Sequence, residues 1–91
     1  MINENMTVGQ AQAVVAADMD GEAVMMGLTN GKYYGLGNVG SRIWVLIAQP
    51  CPVAAVVDSL IAEYDVERQQ CLQDTVTFLQ RLVGEGLARV V

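Results

Sequence analysis

The chain contains no histidine, and its only lysine is Lys32. Without an imidazole there is no Ser-His or Cys-His nucleophile pair and no zinc site that uses His. Cations are scarce, with Lys+Arg 5 against Asp+Glu 10 and a formal net charge of −5. A duplex-DNA binder neutralises phosphates with a local excess of Lys and Arg, so this balance weighs against one. Cysteine is limited to Cys51 and Cys71. That spacing is neither a CxxC pair nor a disulfide framework, and it predicts two free thiols in a reducing compartment. No apolar run approaches the roughly 20 residues that span a bilayer. Residues 1–6 lack the basic-then-apolar pattern of a signal peptide. These absences together predict a soluble, cytoplasmic protein with no membrane contact.

What is present is apolar. Of 91 residues, 53% are hydrophobic and 16% charged, against about 25% charged in ordinary domains. The length allows one domain over 1–91. So small a domain cannot hide all of that apolar surface, which predicts an exposed apolar patch of the kind that marks a contact site. The polar residues do not assemble a reaction centre. Asp18, Asp20 and Glu22 surround a turn, and Asp58, Glu63, Asp65 and Glu67 scatter over helix ends. Ser41 and Ser59 lack a base, and Cys71 has only Arg68 as a cationic helical neighbour. The reading is therefore a protein that is not an enzyme, with no cofactor and no metal site.

Turn signals organise the first third. Asp20-Gly21 and Asn30-Gly31 separate the short apolar stretches 13–18, 22–29 and 32–36, and such dipeptides favour the positive φ of tight hairpin turns. A three-stranded antiparallel meander is predicted over 13–36, with residues 1–7 frayed. After Gly37 the period becomes helical over 38–86. Helix one carries Val39, Ile43, Leu46 and Ile47, with Gly37 or Asn38 as its cap. Pro50 and Pro52 separate it from helix two, whose stripe is Val53, Val56, Val57, Leu60, Ile61 and Tyr64. Asp65 to Glu67 opens helix three, Gly84 and Gly86 end it, and Leu87 to Val91 return as a short strand or tail. This is an α+β pattern, and helices two and three resemble a helix-turn-helix.

Helix three has an unusually wide apolar arc. At 100° per residue, Leu72, Val76, Leu79 and Val83 form a narrow core stripe, and Cys71, Thr75, Phe78 and Leu82 form a second one beside it. The arc from Phe78 to Val76 is about 160°, whereas an ordinary surface helix needs a little over 100°. Either the second stripe packs into the core, or it walls a groove with Asp74 and Arg81 at its rims. The third strand, Lys32-Tyr33-Tyr34-Gly35-Leu36, is the other candidate. It lies at a sheet edge unless another segment covers it, and an open edge is a template for an incoming strand. The same edge also suits a homodimer. As a DNA-reading helix, helix three offers Gln69, Gln70 and Gln73 but no basic flank.

Three segments in order resemble the PqqD-like family. They are Gly31 to Trp44 (GKYYGLGNVGSRIW), Val53 to Tyr64 with its exit at Asp65-Val66, and Asp74 to Leu87 (DTVTFLQRLVGEGL). The resemblance spans about residues 13–88. It implies a small winged helix-turn-helix that recognises the leader segment of a ribosomally made precursor peptide and delivers it to a maturation enzyme. The Tyr-Tyr and Ile-Trp pattern is most similar to the stand-alone leader-binding component of lasso-peptide pathways, which works beside a leader peptidase. The pyrroloquinoline-quinone branch, serving a radical enzyme, is the alternative. In the family the leader adds to the edge of the third strand, in the cleft beside the third helix. That implies a peptide site at Lys32, Tyr33, Tyr34, Gly35, Leu36, Cys71, Asp74, Thr75, Phe78, Arg81 and Leu82. The sequence departs from the family at Gly37, where Asn is usual.

Overall fold

A computed structural model describes residues 2–12, 14–19, 22–27 and 33–91. In chain order the elements are β1 (Thr7–Gln10), β2 (Val14–Met19), β3 (Glu22–Gly27), β4 (Tyr33–Gly35), α1 (Gly37–Leu46), β5 (Cys51–Pro52), α2 (Val53–Glu63), α3 (Arg68–Gly84) and β6 (Ala88–Val90). The class is α+β, with three helices and two antiparallel sheets among the described residues. One sheet has the order β2-β3-β4, with Ala16 opposite Met25 and Met25 opposite Tyr34. Met25 is fully buried, its neighbours Val24 and Met26 are half-buried, and α1 packs against β3. The Asp20-Gly21 and Asn30-Gly31 dipeptides, and Lys32, lie outside the described residues.

The second sheet, in the order β5-β1-β6, corrects the expectation of a single three-stranded sheet followed by helices. Within the stretch expected to fray, residues 2–7 are described and make specific contacts. Ile2 is 6% exposed, and its N–H donates to Gln80 Oε1 at 3.1 Å. The Val53 and Ala54 N–H groups, at the unsatisfied start of α2, donate to Met6 O and Glu4 O. Val8 is fully buried and stands opposite Val90, while Thr7 stands opposite Pro52. The N-terminal segment therefore holds both the start of α2 and the C-terminal strand.

Helix boundaries follow local chemistry. Gly37 has φ +71°, in the left-handed region that Gly and Asn tolerate best. A glycine in place of the family's asparagine therefore keeps the backbone turn from β4 into α1, although neither Gly37 nor Asn38 is the cap, which is Leu36. Pro52 precedes α2, where its missing N–H costs nothing. At the end of α3, Leu87 N–H donates to Leu82 O at 2.8 Å and Gly86 N–H to Val83 O at 3.1 Å, with Gly86 at φ +77°. These bonds form a glycine C-cap that satisfies the last carbonyls and aims the chain into β6.

A single core joins the layers through Val8, Met25, Ile43, Trp44, Leu60 and Leu79 with their neighbours. α3 sits differently from its predicted orientation. Cys71, Thr75, Leu79 and Leu82 are its buried residues, whereas Leu72, Val76 and Val83 are only half-buried. The inward face is thus rotated by roughly 75° from the centre of the Leu72, Val76, Leu79 and Val83 stripe. α3 must meet both α2 on one side and β6 on the other, which broadens its buried arc toward Leu82.

If the N-terminal segment is structural, Ile2→Ala will lower the unfolding free energy by about 2 kcal/mol, as for other truncated core isoleucines. A urea midpoint shift at unchanged m-value reads this loss, whereas a frayed terminus would move it by less than about 0.5 kcal/mol.

Candidate functional site

A cleft runs along α3 and faces the β4–α1 junction. It has two chambers that share Leu36 and Phe78. The first, about 390 Å³, has Cys71, Thr75, Ile43 and Leu60 beneath it. Leu36, Val39 and Gly40 form one wall, Phe78 the other, and Tyr64 and Val66 close the far end. The second, about 320 Å³, lies between Tyr34 and Gly35 of β4 and Arg81 and Leu82 of α3 with its C-cap residue Glu85. From Gln70 to Glu85 the helix presents one continuous face, roughly 22 Å long at 1.5 Å per residue. That length matches six or seven residues of extended chain.

Gly40 sets the width. A Cβ built there would lie 3.0 Å from Phe78 Cζ, 3.1 Å from Phe78 Cε1 and 3.3 Å from Leu36 Cβ. Only a residue without a side chain lets the ring stand against α1, where it divides the cleft into its two chambers.

The polar groups sit at the rims and the floor. Asp74 is exposed, and its Oδ1 accepts from Gln70 Nε2 at 2.9 Å. On the floor, Cys71 Sγ and Thr75 Oγ1 are 4.0 Å apart, and both residues are buried. Tyr34 OH donates to Glu85 Oε2 at 2.7 Å, tying β4 to the last turn of α3. Arg42 forms two bonds with Glu63, 2.8 and 2.9 Å, and this hydrogen-bonded carboxylate holds the guanidinium above its ordinary pKa against the opposing effect of burial. Arg68 pairs with Asp58. The cation at the start of α3 is therefore engaged with α2. Away from the cleft, burial pushes the Cys51 thiol above its ordinary value.

The structure places Cys71, Asp74, Thr75 and Phe78 on the first chamber and Tyr34, Gly35, Leu36, Phe78, Arg81 and Leu82 on the second. Tyr33 belongs to β4 and stands opposite Met26. Of the two readings of the second stripe, each holds for part of it. Cys71, Thr75 and Leu82 are buried as floor, and Phe78 is a half-buried wall. Val39, assigned to the helix-one core stripe, is 46% exposed and lines the cleft. Tyr64, assigned to the core, is half-buried at the closed end, whereas Trp44 is 6% exposed within the core. Gln70, Val66 and Glu85 also line the cleft, and the sequence does not assign them to the peptide site, since polar or terminal residues give no periodic signal. Among the described residues, no group of three or more His, Cys, Asp or Glu side chains could hold a metal ion. No helix among them is long and apolar enough to cross a membrane.

The family model described as coenzyme PQQ synthesis protein D (PqqD) matches residues 22–88. Among solved structures, the chain is similar to TbiB1 in complex with the TbiA(beta) leader peptide. The two share 38% identity at a TM-score of 0.84, over 89% of this chain and 94% of that one. The fold is also similar to that of lasso peptide synthetase B1 complexed with the leader peptide. There the identity is 23% and the TM-score 0.80, over 90% of this chain and 96% of that one. A comparison with curated proteins gave no match.

The Tyr34–Glu85 bond gives a direct stability test. A double-mutant cycle with Tyr34→Phe and Glu85→Ala, followed by urea unfolding, will show a coupling energy of about 1.5 kcal/mol, the lower end for a hydrogen bond to a charged group. Additive losses would mean that the bond does not hold the strand to the helix.

Proposed function

The chain belongs to the PqqD family, and from that premise we propose that it is a non-catalytic adaptor that binds the leader segment of a ribosomally made precursor peptide. The observation that carries this reading is the position of β4. Among the described residues it is the end strand of its sheet, next to β3, and it lies beside the two-chambered cleft. A leader would add antiparallel or parallel to Tyr33, Tyr34 and Gly35 through backbone hydrogen bonds, with alternate side chains entering the chambers around Phe78. Lys32, Leu36, Cys71, Asp74, Thr75, Arg81 and Leu82 complete the proposed site. The leader-bound complex of the 38% identical TbiB1 supports the assignment to leader binding.

The finer parts of the proposal are these. The α2–α3 pair and the β2–β4 sheet act as a winged helix-turn-helix that has exchanged nucleic acid for peptide. The pathway is that of a lasso peptide, and the bound precursor is handed to a separate leader peptidase in the cytosol. A DNA-binding role is disfavoured, because Arg68 near the start of α3 is paired with Asp58 and no basic flank accompanies it. A homodimer formed through the β4 edge would compete with the peptide, so added peptide would shift it to monomer in sedimentation.

Titration with the synthetic TbiA(beta) leader peptide tests the reading. Saturable binding is expected, and Phe78→Ala should weaken it by about 1–3 kcal/mol, the range for a central anchor. Unchanged affinity in a variant with wild-type circular dichroism would remove Phe78 from the site. Bound peptide should also slow alkylation of Cys71 by iodoacetamide without affecting Cys51. The Cys51 thiol will itself react slowly at neutral pH, because burial keeps its thiolate fraction low.

A further inference from the structure

The cations of this chain are few, and their partners distinguish them. Arg42 is paired with Glu63, Arg68 with Asp58, and Arg89 Nε donates to Gln10 O at 3.4 Å. Arg81 has no ion pair or side-chain hydrogen bond with any described residue, although it lines the second chamber. The expected partner is close by. Glu85 follows one helical turn later, the spacing at which Arg and Glu side chains meet on a helix face. Its carboxylate instead accepts from Tyr34 OH across the cleft. Tyr34 thus draws the intrahelical anion toward β4 and leaves the guanidinium at the mouth of the chamber.

We infer that Arg81 is a receptor for an acidic side chain of the bound peptide, and that the cleft selects an extended segment with a large apolar residue and an Asp or Glu about three positions apart. The inference rests on the peptide-binding reading and adds the chemistry of its ligand. The spacing comes from the geometry of α3. An occupant that enters both chambers must run along the helix past Phe78. Thr75, on the floor of the first chamber, is six residues from Arg81, roughly 9 Å along the axis. An extended chain covers that distance in about three residues. The guanidinium fork suits a carboxylate, to which it can donate two parallel hydrogen bonds. At the other end, the Asp74 carboxylate already accepts from Gln70, and no described cation lines the first chamber. Glu85 also lines the second chamber, but its carboxylate accepts from Tyr34 OH, and Arg81 makes this the chamber with a cation, so an anionic group is favoured there.

The test is a selection of displayed random 12-residue peptides on the intact protein, run in parallel on wild type, Arg81→Gln and Arg81→Glu. Wild type should enrich Asp or Glu three positions, give or take one, from a large apolar residue. Arg81→Gln should keep the apolar preference and lose the acidic one, and Arg81→Glu should replace it with Lys or Arg. A peptide selected on wild type should bind Arg81→Gln about three- to fivefold more weakly at low salt, in line with a solvent-accessible ion pair. The difference should shrink in 1 M salt. Enrichment of apolar peptides with no acidic preference would overturn the role of Arg81 and leave the peptide-binding reading standing. Failure to enrich any extended peptide would overturn both.

Discussion

The packing of the Phe78 ring against the bare backbone of Gly40 is the contact on which the rest of the site depends. It brings α1 and α3 together closely enough to share one core, yet holds a large side chain upright between them. Gly37, at positive φ, makes the contact possible by turning the chain from β4 into α1 within two residues. That turn delivers Leu36 to the same ring and sets the open edge of β4 alongside α3. A groove results because the helix is packed on both sides, against α2 and against β6, which follows it through the glycine cap after Gly84. It therefore cannot collapse onto the strand.

Open strand edges occur elsewhere in the described structure, but they differ in kind. β5 is two residues long and ends in Pro52, which has no N–H to offer an incoming strand. β6 exposes Arg89 and Val90. β2 ends the same sheet on its other side, while β4 lies beside the two chambers, and a strand edge next to apolar volume is the combination that strand addition uses for affinity and for side-chain selectivity. The Tyr34–Glu85 bond reaches across that volume and shapes its polarity, because it decides which charges of α3 face the cleft.

Much of this was legible in the sequence, and the parts that were not have identifiable causes. The strands flanking Asp20-Gly21 and Asn30-Gly31, and the helices bounded by Pro52 and Gly86, announce themselves through local backbone chemistry. The β5-β1-β6 sheet does not. Its strands have two to four residues and pair segments as distant as Val8 and Val90, so no local pattern reports them. Helical periodicity found the wide apolar arc of α3 but not its centre, since Leu and Val outrank Cys and Thr in hydropathy. The fold buries Cys71 and Thr75 nonetheless, because they face α1 and α2 beneath the cleft. The width of the cleft was likewise hidden. Gly40 is an ordinary helical glycine in sequence, and its meaning appears only when Phe78 stands against it.

The central claim is that β4 accepts a peptide as an added strand. Amide hydrogen exchange of the protein with and without saturating TbiA(beta) leader peptide tests it most directly. Backbone amides of β4 that face the open edge should become protected when the peptide binds, together with slower exchange along the α3 face from Gln70 to Glu85. Binding that leaves the β4 amides exchanging at their free rate would contradict the account.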